Sequence, residues 1–183
     1  SYSVTGVQTC ALPISVTFKS ASQAQQVGIV AVHQPPQLVD TMDVLNNVFL
    51  GRELRGPNWF KVFPKVKEML ETTRKLLAFF DMPPDLVEVL AADLSDEQRQ
   101  IVALAWTLCR PSRLLLLDDA LAALSYARQQ KLLSRIKELA AQNVAVIMSS
   151  DDLKCIFAVT DHILVLYQGH QIALRRTSES TPR

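Results

Sequence analysis

Short runs of consecutive apolar residues alternate along most of this chain with stretches whose apolar positions recur every third or fourth residue. Gly28–His33 (GIVAVH), Arg113–Asp119 (RLLLLDD), Asn143–Ser150 (NVAVIMSS) and His162–Gly169 (HILVLYQG) are runs of the first kind. Lacking polar alternation, they suit the central strands of a parallel sheet covered on both faces. Between them lie helical patterns. Ser95–Arg110 is stopped by Pro111, Ala127–Ala141 gathers Leu132, Leu133, Ile136, Leu139 and Ala140 on one face, and Leu153–Val159 is a shorter piece. Strand and helix in alternation predict an α/β fold.

The segment from Asp43 to Ala92 has another character. It lacks strand-like runs and carries Val66, Met69, Leu70, Thr73, Leu76, Leu77 and Phe80 at helical spacing, with Lys65, Lys67, Glu68, Glu71, Arg74 and Lys75 opposite. That is an amphipathic helix with a solvated side. Pro83 and Pro84 end it, and a second helical piece is expected over Asp85–Ala91. An all-helical insert, about residues 43–110, is therefore expected inside an α/β body.

Composition narrows the classes. Nineteen Lys plus Arg against eighteen Asp plus Glu leave a net charge of +1, and no basic stripe with interleaved aromatics argues for nucleic acid. The longest apolar runs fall short of the roughly 18 residues a membrane span needs. The three cysteines, Cys10, Cys109 and Cys155, are far apart and imply neither a disulfide framework nor a zinc site. His33, His162 and His170 have no partner at metal-ligand spacing and read as surface or edge residues. The chain begins with Ser1, and Val4–Ile14 (VTGVQTCALPI) resembles the conceptual translation of a sequencing-library adapter. Residues 1–15 are accordingly expected to be an artefactual or disordered leader, with the fold proper over 16–176 and a truncated tail at 177–183.

Candidate chemistry begins at Asp118. An apolar strand ending there puts a carboxylate at the carboxyl edge of a parallel sheet, where α/β proteins bind ligands. Such a group can hold Mg²⁺ through its water shell, and the adjacent Asp119 can orient an attacking water. The plainer alternative is a helix N-cap. Upstream, LSDEQRQ (Leu94–Gln100) contains a capping box formed by Ser95 and Gln98, with Asp96 and Glu97 favourable to the helix dipole.

Taken in order, LSDEQRQ, a helix, LLLLDD and ALAALS (Ala120–Ser125) resemble the ABC ATPase family. Ser95 and Gln98 occupy its signature-motif positions, Asp118 the magnesium-binding acid of its second phosphate motif, and Ala122–Ser125 its dimer loop. Ala31–Glu53 (AVHQPPQLVDTMDVLNNVFLGRE) resembles the family's glutamine loop, with Gln34 as the glutamine that senses Mg²⁺ and the γ-phosphate. Its NVFLGRE ending is similar to that of simple-sugar importers of the ribose and xylose type. Val144–Gly169 resembles the switch-loop strand, its helix and the next strand. The resemblance implies a P-loop NTPase-like core, ATP and Mg²⁺ as ligands, and a second ABC ATPase domain and transmembrane permease subunits as partners. It also implies a cytoplasmic place at the inner face of the membrane. Phe49, Leu50 and Trp59 would line the groove for the permease's coupling helix, and Trp106 reads as core.

The departures from that family matter as much. Its phosphate loop needs G-x-x-x-x-G-K-[ST]. The only glycines here at that spacing, Gly51 and Gly56, are followed by Pro57 and Asn58, so the N-terminal β part and phosphate loop are expected to be missing. Where the family has a catalytic Glu this chain has Asp119, and Asp151 stands at the switch histidine. Two signature glycines are Asp96 and Glu97, whose charges would repel a γ-phosphate. The sequence thus predicts a transport ATPase subunit with weakened hydrolysis or, alternatively, a non-catalytic subunit of the same fold serving an active partner. A third reading, a nucleic-acid factor of the ABC type, fits the near-neutral charge poorly.

Overall fold

In the computed structural model, residues 16–51, 54 and 65–180 are described in full and residues 3–8 as backbone. They form two compact units, one of residues 1–34 and 111–183 and one of Pro35–Arg110. The second starts ahead of the boundary expected near residue 43 and ends at Arg110.

The first unit is built on a six-stranded sheet. Its strands are β1 (Ser3–Gln8), β2 (Ile29–Val32), β3 (Leu114–Asp118), β4 (Ala145–Ser150), β5 (His162–Tyr167) and β6 (His170–Arg176), in the order β2-β3-β4-β1-β5-β6. Strands β2, β3 and β4 are parallel, in a register that sets Ala31 beside Leu116, Leu116 beside Ile147, and Asp118 beside Ser149. Burial alternates along these strands. Val30, Val32, Leu115, Leu117, Val146 and Met148 are buried on one face. Helices α5 (Tyr126–Ala141) and α6 (Leu153–Val159) supply buried Leu132, Leu133, Ile136, Leu139, Cys155 and Ile156. Each such large aliphatic group stabilises the fold by about 1.5–3 kcal/mol relative to exposure. The opposite face, with Ile29, Ala31, Leu114, Leu116, Ala145 and Ile147, is only half-buried. Covering on both faces, expected from the unbroken apolar runs, therefore holds for one face. A continuous apolar run says that both faces are apolar, not that both are filled.

One further difference concerns the sheet. Ser3–Gln8, expected to lie in a leader outside the fold, is β1, paired antiparallel to both β4 and β5. Since β4 and β5 thus run in the same direction, each presents an inward edge of peptide groups that must find partners. SVTGVQ, with Val at every third position and small or polar residues between, has no charge or proline to prevent this pairing. Tyr167 leads through Gln168 and Gly169, both at positive φ (49° and 79°), into β6. Positive φ at both central residues makes a tight turn that matches strand twist. Between β1 and β2, the short helix α1 (Ala21–Gln26) is capped by Ser20.

The second unit is helical. In α2 (Val44–Phe49), Asp43 caps the first turn and buried Asn47 staples the preceding loop. Asn47 Oδ1 accepts from Val39 N at 2.8 Å, and its Nδ2 donates to the carbonyls of Val39, Met42 and Asp43. The amphipathic helix α3 (Val66–Phe79) buries Met69, Thr73 and Leu77. It stops at Phe80, Asp81 takes φ of 54°, and prolines follow. The expected piece at Asp85–Ala91 resolves into two 3₁₀ turns, Pro84–Glu88 and Ala91–Asp93, because Pro83 and Pro84 withhold the donors a longer helix needs. Helix α4 (Asp96–Leu108) buries Ile101, Val102, Leu104 and Ala105. Trp106, expected as plain core, is half-buried with the Arg110 guanidinium 3.6 Å above its ring centre, a cation–π pairing.

Candidate functional site

The carboxyl ends of β2, β3 and β4 meet along one edge of the first unit. Gln34 follows β2, Asp118 closes β3, and Ser149 and Ser150 close β4 ahead of Asp151. The paired register of Asp118 and Ser149 puts both side chains on the half-buried face. Ser149 Oγ donates to Asp118 Oδ1 at 2.7 Å and accepts from the Asp119 amide at 2.9 Å. Asp119 takes φ of 46°, a left-handed conformation that costs a side chain energy but is most tolerable for Asp and Asn.

Gln34 hydrogen-bonds the Asp119 carboxyl. Burial disfavours the charged form of that carboxyl and raises its pKa, and the negative charge of Asp151 raises it further. The Gln34 bond pulls it back down, and Asp118 adds a smaller upward push. Asp119 Oδ1 is buried and has no hydrogen-bond partner among the described residues. Gln34, Asp118, Asp119 and Asp151 are therefore brought together as a patch of oxygen donors, with an orphaned oxygen and an excess of negative charge. Both features suit a hard divalent cation. Among the described residues no group of three or more His, Cys, Asp or Glu side chains forms a ligand cage. Mg²⁺ needs none, since it keeps several waters and takes one or two carboxylates together with substrate phosphates. The residues present thus fit Mg²⁺ bound with a nucleotide.

Two groups missed in the sequence support this edge. Ser149 is one; its signal lay in the pairing of LLLLD with AVIMSS, which a single sequence does not display. The other is Gln129 of α5, whose Nε2 donates to the carbonyls of Leu121 and Leu124 at 3.1 Å and holds the loop after Asp119. In that loop Ala120, Leu121 and Leu124 are buried. Beyond Asp151, Asp152 caps α6. Its pKa is lowered, first by the bond from the Cys155 thiol. That thiol is itself pushed up to about 11, chiefly by burial, as is Cys109. Neither has thiolate character at neutral pH.

Ser95 and Gln98 lie in the second unit. Ser95 Oγ accepts from the Gln98 amide at 3.3 Å, and Gln98 Oε1 accepts from the Ser95 amide at 2.8 Å, closing a capping box. Arg99 beside them pairs with Asp40 at 2.8 Å. Of the residues expected to line a permease groove, Phe49 is buried in the core of this unit and unavailable, Leu50 is exposed, and Trp59 lies outside the described residues.

An α/β body with an acid pair at the carboxyl edge of parallel strands, interrupted by a helical unit, defines an ATP-binding cassette fold. Solved structures agree. One is a dimeric ATP-binding cassette in a post-hydrolysis state bound to ADP and Pi, with TM-score 0.72 at 19% identity over 85% of this chain and 66% of that one, a likeness of fold alone. Another is the ADP conformation of an ATP-binding cassette of an ABC transporter, with TM-score 0.65 and 25% identity over 90% of this chain and 66% of that one. The chain belongs to the ABC transporter family, whose model matches residues 12–122.

Among its relatives is the xylose/arabinose import ATP-binding protein of Sulfolobus acidocaldarius, 28% identical over 165 residues, covering 90% of this chain and 64% of that protein. The ribose import ATP-binding protein of Geobacillus kaustophilus is 32% identical, covering 90% of this chain and 33% of that protein. The xylose import ATP-binding protein of Histophilus somni is 34% identical, covering 86% and 30%. The chain thus spans less than two thirds of the first of these relatives and about a third of the others. No helix among the described residues is long and apolar enough to cross a membrane.

Proposed function

We propose that this chain is part of the ATP-binding subunit of a transporter that imports monosaccharide-like solutes, with hydrolysis weakened relative to its family. The observation that carries the reading is the gathering of Gln34, Asp118 and Asp119 at the carboxyl edge of β2 and β3. Family membership and the sugar-import relatives support it. Asp118 and Gln34 would hold Mg²⁺, which when bound neutralises charge on the phosphates of ATP. Asp119 would orient the attacking water, while Ser95 and Gln98 would complete the opposite site of a second ATPase domain. Closure of the two domains on ATP would drive permease subunits from the cytoplasmic face of the membrane.

Weakening follows from charge. Asp119 is a methylene shorter than Glu, and misplacing a catalytic group by about 1 Å costs about a hundredfold. Asp151 faces Asp119 as a second anion, and Asp96 and Glu97 head α4. ATP turnover by the complete parent protein, alone and with Asp119→Ala, tests the reading. It predicts slow turnover by the unaltered protein, brought down to background by Asp119→Ala. Robust turnover by the unaltered homodimer, abolished by Asp119→Ala, would overturn it. The charge on that edge also favours a second reading, a non-catalytic subunit that serves an active ATPase and permease. ATP binding with no turnover, alongside restored transport on adding an active subunit, selects the second.

A further inference from the structure

The two serines that end β4 have opposite employments. Ser150 is 5% exposed, and its Oγ accepts from the Asp152 amide at 3.1 Å, shaping the entry to α6. Ser149 points to the other face, where its single hydroxyl is used twice, as donor to Asp118 Oδ1 and as acceptor from the Asp119 amide. No other side chain touches both members of the acid pair through hydrogen bonds described in the structure.

We infer that Ser149 is a positioning residue that sets the geometry of the Asp118–Asp119 pair. Its hydroxyl binds one oxygen of Asp118 and so holds the rotamer. The same hydroxyl satisfies the Asp119 amide, which in the left-handed backbone at φ 46° has no place in the strand ladder. The conformation of Asp119 then aims its carboxyl at Gln34 instead of along the strand. One hydroxyl thereby couples the acid that would hold a cation to the acid that would orient water. An alanine at position 149 supplies neither bond. A threonine supplies both, and its β-branched shape suits a strand. The arrangement of the acid pair stands independently of any metal, but its use in holding one rests on the function proposed above.

The test compares the unaltered chain with Ser149→Ala and Ser149→Thr by nuclear magnetic resonance. Without metal, the Asp119 amide in Ser149→Ala should exchange with solvent about tenfold or more faster, the scale of a lost hydrogen bond tied to a charged group, and Ser149→Thr should restore protection. Addition of Mn²⁺ alone should broaden the Asp118 carboxyl carbon in the unaltered and Thr proteins at several-fold lower concentration than in the Ala protein. Equal amide exchange in all three proteins would overturn the inference. Changed exchange with no Mn²⁺ broadening in any of them would leave Ser149 as positioning residue and reject the cation reading of Asp118 instead. Global unfolding of Ser149→Ala would be seen as faster exchange throughout β3 and β4. Exchange at Asp119 in Ser149→Val, which keeps strand shape without the hydroxyl, then decides the matter: protection in the Val protein contradicts the inference.

Discussion

Asp96–Glu97 in the helical unit and Asp118–Asp119 in the sheet unit are both pairs of adjacent acids, and their surroundings could hardly differ more. Asp96 and Glu97 sit in the first turn of α4, behind a closed capping box, where unpaired amides and the helix dipole welcome negative charge. Asp118 and Asp119 end a strand, where no dipole helps, a third acid stands close, and one carboxyl has its pKa raised by burial and by its neighbours. The first pair is explained by helix stability alone. The second is held against its own repulsion, by Ser149 and Gln34. Acids kept where they cost stability point to a ligand of opposite charge, and acids that stabilise their own helix do not.

The contrast can be broken most readily at the cap. Ser95→Ala removes the hydroxyl arm of the box, leaving the backbone amide at position 95 to donate to Gln98 Oε1, and should lower stability by about 1 kcal/mol, read as a shift of the denaturant midpoint with unchanged slope. A smaller effect of opposite kind is expected at the strand edge. Asp119→Asn removes a charge that the fold disfavours, so at neutral pH it should leave stability unchanged or raised, whereas Asp96→Asn should lower it by a few tenths of a kcal/mol. Equal losses in both variants would erase the distinction between the pairs.

The pH dependence sharpens it further. A carboxyl whose pKa is raised by folding stabilises the fold fully below its unfolded value, and that contribution is lost as pH rises through the raised value. The stability difference between the unaltered chain and Asp119→Asn should therefore decline with rising pH. Asp152, whose pKa is lowered, contributes above its unfolded value and loses that contribution as pH falls through the lowered one, so its Asn variant should show the reverse slope. Smallest of all, Gln34→Ala deletes the bond that pulls the Asp119 carboxyl down, and its titration midpoint should move further up.

Much of this was legible in the order of residues. The leucines of β3 place Asp118 at a sheet edge by strand pattern alone, and Ser95 with Gln98 announces a helix start by spacing. What escaped depends on pairing between distant segments. Ser149 meets Asp118 because β3 and β4 share a register, and Gln129 reaches back to the loop after Asp119 from a helix whose sequence pattern shows only its apolar face. Strand β1 escaped for a different reason. Its sequence lacks strand alternation, with valines at Val4 and Val7, although an inward edge on β4 and another on β5 would accept any short segment able to extend. Phe49 was assigned to a surface from its place in a motif, while its position on the apolar side of α2 puts it in the core.

The central claim is that Gln34, Asp118 and Asp119 form one cation-accepting edge. Iron-directed cleavage addresses it most directly: Fe²⁺ is added in place of Mg²⁺ with ascorbate and peroxide, and the backbone cuts are mapped by mass spectrometry. The account predicts cuts clustered in three separate stretches, near Gln34, at Asp118–Asp119 and at Ser149–Asp151, all suppressed by excess Mg²⁺. Cuts confined to other segments, or unchanged by Mg²⁺, would contradict it.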